Sequence, residues 1–213
     1  MIPAQSASSL LATRCVDPRL GEHGDDGNNF EEETSLFKPD ASGELVRIKV
    51  VWDLTRPLPN RRTNEWVVVK PVGRDQLAEV GKILVRTWGG FIQDPQATVD
   101  YVGPYVDAGV EQPFIAYLDG MPVGCVSPRL DRESKLGVLD GGVHVLQEHR
   151  RRRIGTSLLL VALGWLRDKG MRGAWVTPNN PESKEATRRA EAFYLATGGR
   201  HERHHCASGA AVC

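Results

Sequence analysis

Four consecutive arginines, Arg150 to Arg153, stand directly before Ile154, Gly155 and Thr156, and the run from Leu158 to Leu166 is too apolar for a surface helix. A β-prone stretch with Val143, Val145 and Leu146 precedes them. Strand, basic loop and buried helix together make an anion site, because a helix N-terminus offers unpaired backbone N–H groups and the positive end of the helix dipole. Gly155 lets the backbone approach a phosphate closely, and the guanidinium groups add charge. Like charges at that end of a helix oppose the dipole, so an anion is expected to compensate them. A nucleic-acid contact is the rival use of four arginines. It is a weak case, since the run is short, lacks interleaved aromatics and sits in a chain whose 27 basic and 27 acidic residues cancel.

The elements that position this stretch can be read from periodicity. ELVRIKVVWD, residues 44 to 53, alternates as a strand, and after a Pro- and Arg-rich connector EWVVVKPV, residues 65 to 72, forms a second. Leu77, Val80, Ile83, Leu84 and Trp88 recur at helical spacing over residues 74 to 88. Asp94-Pro95 starts a second helix through about Asp107, with Gly103-Pro104 expected to kink or split it. Residues 113 to 131 read as a hairpin about Asp119-Gly120, leading into a third antiparallel strand, Leu136 to Leu146. A helix over residues 154 to 169, a strand RGAWVTP and a last helix ending at Gly198-Gly199 follow. The order β, β, α, α, β, β, β, α, β, α predicts an α/β fold on a mixed, mostly antiparallel sheet flanked by helices.

At 213 residues the chain holds one domain with an extension. That domain is expected over residues 44–199. Residues 1–43, rich in Gly, Asn and acid, read as a flexible arm, and residues 200–213 as a C-terminal tail. Cys15, Cys125, Cys206 and Cys213 form no pairing pattern, so a reducing compartment is expected, and the N-terminus has no apolar core of signal-peptide length. The longest apolar run is too short to span a bilayer, and the expectation is a cytoplasmic protein with neither nucleic acid nor membrane as partner.

This order of elements, from about Glu65 to Gly199, resembles the Gcn5-related N-acetyltransferases, which transfer an acyl group from acyl-CoA to an amine. The family's loop reads Arg or Gln, two residues, Gly, one residue, Gly or Ala, and Arg150 to Gly155 follows it except that Arg153 stands at the first glycine. Tyr194 lies four positions before Gly198, as the family's tyrosine does, and Asp140 stands ten before Arg150, where some members carry an acid. The resemblance implies acetyl-CoA, or another acyl-CoA, as donor, with no metal, and a small-molecule or protein amine as acceptor. It implies that the backbone of Val143, His144 and Val145 holds the pantetheine arm and that Arg150 to Arg153, Ile154, Gly155 and Thr156 bind the diphosphate. In the family an Asn one heptad before the Tyr also bonds the cofactor. Here Thr187 holds that place, and Asn180 serves only if the helix extends two turns further at its start. The acceptor pocket is implied along Trp88 to Val110, where Gly89, Gly90, Phe91, Ile92 and Tyr101 form a partly apolar wall.

The chemistry of acyl transfer wants a weak acid beside the sulfur, and Tyr194 is the candidate; the plainer reading is a core tyrosine beside Phe193. It also wants an acceptor for the amine's proton. Asp140 and His144 are four apart on one strand and point to one face, unless Asp140 belongs to the Asp-Gly-Gly turn and His144 is merely packed. His201, His204, His205 and Cys206 lack a second ligand pair on a rigid element, so a tail and not a zinc site is expected there. Two departures from the family stand out. Arg153 alters either the loop conformation or the phosphate grip, and the family's last two strands have no counterpart after Gly199. The shortened end calls for a homodimer, or for the strand of residues 44 to 53, to cover the sheet edge. Both departures also keep a second function open, a non-catalytic binding or partner-interaction module on the same fold.

Overall fold

The computed structural model describes residues 37–39, 45–88, 92–178 and 184–205. Eight strands form one sheet: β1 (Phe37–Pro39), β2 (Leu45–Asp53), β3 (Val67–Pro71), β4 (Phe114–Leu118), β5 (Met121–Asp131), β6 (Leu136–Val145), β7 (Gly173–Val176) and β8 (Arg200–His205). Their order is β1-β2-β7-β6-β5-β4-β3, with β8 added on β2, and only the β6–β7 pair is parallel. The helices are α1 (Leu77–Thr87), α2 (Pro95–Asp107), α3 (Ile154–Asp168) and α4 (Lys184–Ala196).

Period-2 alternation divides the sheet between two cores. On β4, Phe114, Ala116 and Leu118 join the larger one, built with Ile154, Leu158, Leu159, Leu163 and Leu166 of α3. Ile115, between them, faces the other way, toward Leu77, Val80 and Ile83 of α1 and Val102 of α2. Helix α3 is thus apolar because it lies across the sheet, and its N-terminus is delivered to the end of β6. Asp94 Oδ1 accepts the N–H of Gln96 at 2.9 Å, capping α2 as its sequence predicts. Pro104 does not split α2, which runs unbroken to Asp107. Proline there removes one hydrogen bond in the last turn, where the helix has least to lose.

The expectation of a strandless C-terminal tail is corrected. Arg200–His205 pairs antiparallel with β2 from Val51 to Val46. Val50 and Val51 pair also with Val176 and Trp175 of β7, so β7 and β8 lie on opposite sides of β2. The edge beside β7 is therefore covered within the chain by the strand from the N-terminal side, one of the two ways of covering it that the sequence offered. A short strand, β1, also lies inside the segment read as a flexible arm, while residues 1–36 are outside the described residues.

Candidate functional site

The site begins as an irregularity in β6. Val126 pairs with Val143 but Ser127 pairs with Asp140, so Gly141 and Gly142 have no partner on β5. Both take positive φ, 69° and 83°, which glycine adopts without strain. On its other side β6 follows β7 only from Leu136 to Val138. Past Val138 the two strands have no pairing, and Tyr194 of α4 reaches the bulge beside them. The Val143 N–H donates to Tyr194 Oη at 3.0 Å. A Cβ on Gly142 would lie 2.5 Å from that oxygen and 3.8 Å from Val176 Cγ2, so β6, β7 and α4 meet at this point.

Tyr194 is only 4% exposed and packs edge-on against Trp52, with ring centroids 5.7 Å apart. Burial pushes its phenol up to about 12, opposed in part by the bond from Val143. The group therefore stays protonated at neutral pH, and because Oη accepts from Val143 its own proton is left to be given away. Being packed in the core and keeping a phenolic proton are compatible in this one residue.

His144 lies beyond the bulge. Its Nε2 is 2.9 Å from the Gly141 carbonyl and its Nδ1 3.0 Å from Thr87 Oγ1. A carbonyl only accepts, so Nε2 carries the proton of the neutral ring, and the single Thr87 hydroxyl proton is shared between Nδ1 and the Ile83 carbonyl, 2.9 Å away. Burial lowers the ring to about 4, with the Gly141 bond opposing and Arg150 adding to the shift. Trp88 covers the ring with centroids 5.3 Å apart. In this arrangement His144 is a poorer proton acceptor than an ordinary histidine. Asp140 and His144 sit opposite Ser127 and Cys125, two positions apart on β5, so the two-residue bulge preserves the alternation between them. The side chain of Asp140 is outside the described residues. Cys125 is buried, with its thiol pushed far up by desolvation, and serves as packing.

Sequence reasoning missed Glu111. Its buried carboxylate accepts from Ser127 Oγ and pairs with Arg129 Nε at 2.8 Å, and the Arg129 guanidinium lies 4.3 Å from the Tyr105 ring centre. No local spacing announces this cluster, because the β4–β5 hairpin brings its members together from 16 and 18 residues away. Ser127, directly opposite Asp140, ties it to the bulge.

The arginine loop closes the other end. Arg150 Nε donates to Val145 O at 3.1 Å, and all four arginines are exposed. Arg151 and Arg153 have φ of 62° and 60°. Arg153, at the start of α3, therefore takes the left-handed conformation that the resembling family fills with glycine. The loop keeps that backbone path at a strain of about 1–3 kcal/mol for each such residue. Arg153 makes no side-chain cap to α3, and among the described residues no side chain accepts from the N–H groups of Ile154, Gly155 and Thr156. A Cβ on Gly155 would lie 3.4 Å from the Phe193 ring, so the start of α3 passes close to α4. Thr187 is half-buried on α4, two turns before Tyr194, and Asn180 lies outside the described residues, as do Gly89, Gly90 and Phe91.

This geometry, a bulged strand parting from its parallel neighbour with an uncapped helix start beyond it, agrees with the sequence match. Residues 77–195 match the Acetyltransferase (GNAT) family. The chain belongs to that family. Among solved structures, it resembles the GCN5-related N-acetyltransferase from Sphaerobacter thermophilus, at TM-score 0.55 and 16% identity over 74% of this chain and 48% of that one. It also resembles the aminoglycoside N-acetyltransferase AAC(6′)-Iy in complex with CoA, at 0.53 and 19% over 73% of this chain and 100% of that one. An aminoglycoside acetyltransferase from an uncultured soil metagenomic sample matches at 0.52 and 19% over 66% and 95%. These likenesses show the fold, and no curated protein matches.

Thr177 Oγ1, just past β7, Trp52 Nε1, whose ring packs on Tyr194, and Thr98 Oγ1 of α2 are buried with no hydrogen-bond partner among the described residues. In this GNAT chain the exposed Arg150 to Arg153 at the start of α3 are the residues that fit an anionic donor. Among the described residues no group of three or more His, Cys, Asp or Glu side chains could hold a metal, and no helix is long and apolar enough to cross a membrane.

Proposed function

We propose that this GNAT chain transfers an acetyl or other acyl group from acyl-CoA to the amine of a small molecule, by direct attack within a ternary complex. One observation carries the proposal: Tyr194 Oη, kept protonated by burial, sits 3.0 Å from the Val143 N–H where β6 has parted from β7. The bond from the Val143 N–H orients the phenol and leaves its proton free for a leaving thiolate. The amine nitrogen bonds the carbonyl carbon, the C–S bond breaks with its electron pair going to sulfur, and Tyr194 protonates the sulfur. The amine's proton goes to Asp140, directly or through water, because both ring nitrogens of His144 are engaged. Exposed Arg150 to Arg153 and the open N–H groups of α3 bind the diphosphate.

The aminoglycoside acetyltransferases among the structural neighbours favour a small molecule over a protein as acceptor. Calorimetric titration with acetyl-CoA tests the donor: binding in the micromolar range is expected, and no heat at millimolar ligand would sink the reading. It would also revive the non-catalytic module.

A further inference from the structure

The connector between β2 and β3 does more than join two strands at distant places in the sheet. The Leu54 N–H donates to Arg172 O, Leu58 packs beside Gly164 of α3, and Pro59 packs beside Gly198. The segment thus crosses the helical face and arrives at the arginine loop with Asn64. There Asn64 Nδ2 donates to the Arg152 carbonyl at 2.9 Å, across 88 residues of sequence. Its backbone N–H donates to Ser157 Oγ, which in turn donates to Arg153 O, both at 3.3 Å. Its Oδ1 and carbonyl oxygen accept from the Trp66 and Val67 N–H groups, so the residue is itself fixed.

Arg152 lies between the two left-handed arginines. A side chain in that region is strained, and the strain persists only where surrounding contacts over-determine the backbone. We propose that Asn64 is a positioning residue for the donor site: it holds the Arg150–Arg153 loop in its anion-binding shape and so replaces the glycine that Arg153 displaces. The inference rests on the loop being the CoA site. It explains how a chain with arginine at this position keeps the loop path, and it gives the connector a part in donor binding.

The test couples Asn64→Ser to Arg153→Gly. Serine keeps the local turn with the Trp66 N–H but is too short to reach Arg152 O. One hydrogen bond lost from the loop should weaken CoA binding by calorimetry roughly five- to tenfold. Tryptic cleavage after Arg151 and Arg152, followed by mass spectrometry, should quicken by a similar factor. With Arg153→Gly already present, where glycine takes φ near 60° unaided, Asn64→Ser should change either readout less than twofold. Equal effects in both backgrounds, or none in the arginine background, overturn the proposal. Should the unsubstituted protein fail to bind CoA, the functional reading falls and the cleavage rates still judge the tether.

Discussion

Two left-handed turns flank the candidate site, and the chain builds them from opposite residue types. At the β6 bulge the positions are Gly141 and Gly142; at the start of α3 they are Arg151 and Arg153. The difference lies in what a side chain would meet. Beside Gly142 stands Tyr194 Oη, 2.5 Å from where a Cβ would be, so backbone strain and steric overlap both forbid any other residue. The loop arginines point to solvent and incur the dihedral strain alone. A position with positive φ therefore demands glycine only where packing also demands it, and elsewhere the chain can trade strain for charge.

Gly142→Ala attacks the comparison where it is strongest. It should cost about 3 kcal/mol or more in denaturant unfolding, through overlap and φ together, and it should displace Tyr194 and abolish measurable turnover. A stable, active variant would mean that the tyrosine has room to yield and that the bulge is no more constrained than the loop. Tyr194→Phe separates shape from chemistry at the same place. The ring still fills the space, so CoA affinity should stay within twofold while kcat falls about 10²-fold, the scale of a lost general acid. An unchanged kcat would leave Tyr194 as packing.

Acid sharpens the contrast between the two sides of the bulge. The His144 ring is lowered to about 4 in the folded protein against about 6.5 in the unfolded chain, so the unfolded state takes up the proton first as pH falls. Stability from this group is complete above pH 6.5 and is lost progressively toward pH 4, by about 3 kcal/mol, which thermal melts across that range would register. His144→Gln should flatten the profile in that window, and an unaltered profile would assign the acid sensitivity elsewhere. The smallest effect is expected at the loop. Arg153→Gly should raise stability by about 0.5–1 kcal/mol, the strain released less the extra freedom given to the unfolded chain. A loss of stability would show that the guanidinium itself braces the turn.

What could be read in advance follows the same division between local and distant causes. The β6–loop–α3 unit, the Asp94 cap and the Asp119-Gly120 turn, where both residues have positive φ, are each specified by neighbours in sequence. Strand β8 is not. RHERHH carries no apolar alternation, and it is its pairing along β2 that makes it a strand. Glu111 and Asn64 escaped for a related reason, since each acts through partners that only the folded register brings near. Arg153 was legible as an anomaly, but its resolution needed the backbone angle. Between Tyr194 and Val143 the sequence marks a tyrosine and a strand, whereas the bulge that aims the N–H at the hydroxyl is a matter of register.

The placement of β2 between β7 and β8 has a consequence for biosynthesis. Some 120 residues separate Asp53 from its partner Gly173, so at ribosomal speed the strand waits roughly 6–24 s for its first long neighbour and longer for its second. Throughout that interval a hydrophobic ribbon, with Val50 and Trp52 destined for the core, has only the three-residue β1 beside it. Pairings so remote in sequence fold late and slowly. The ribbon therefore needs shielding from other nascent chains until β8, which follows α4, has emerged.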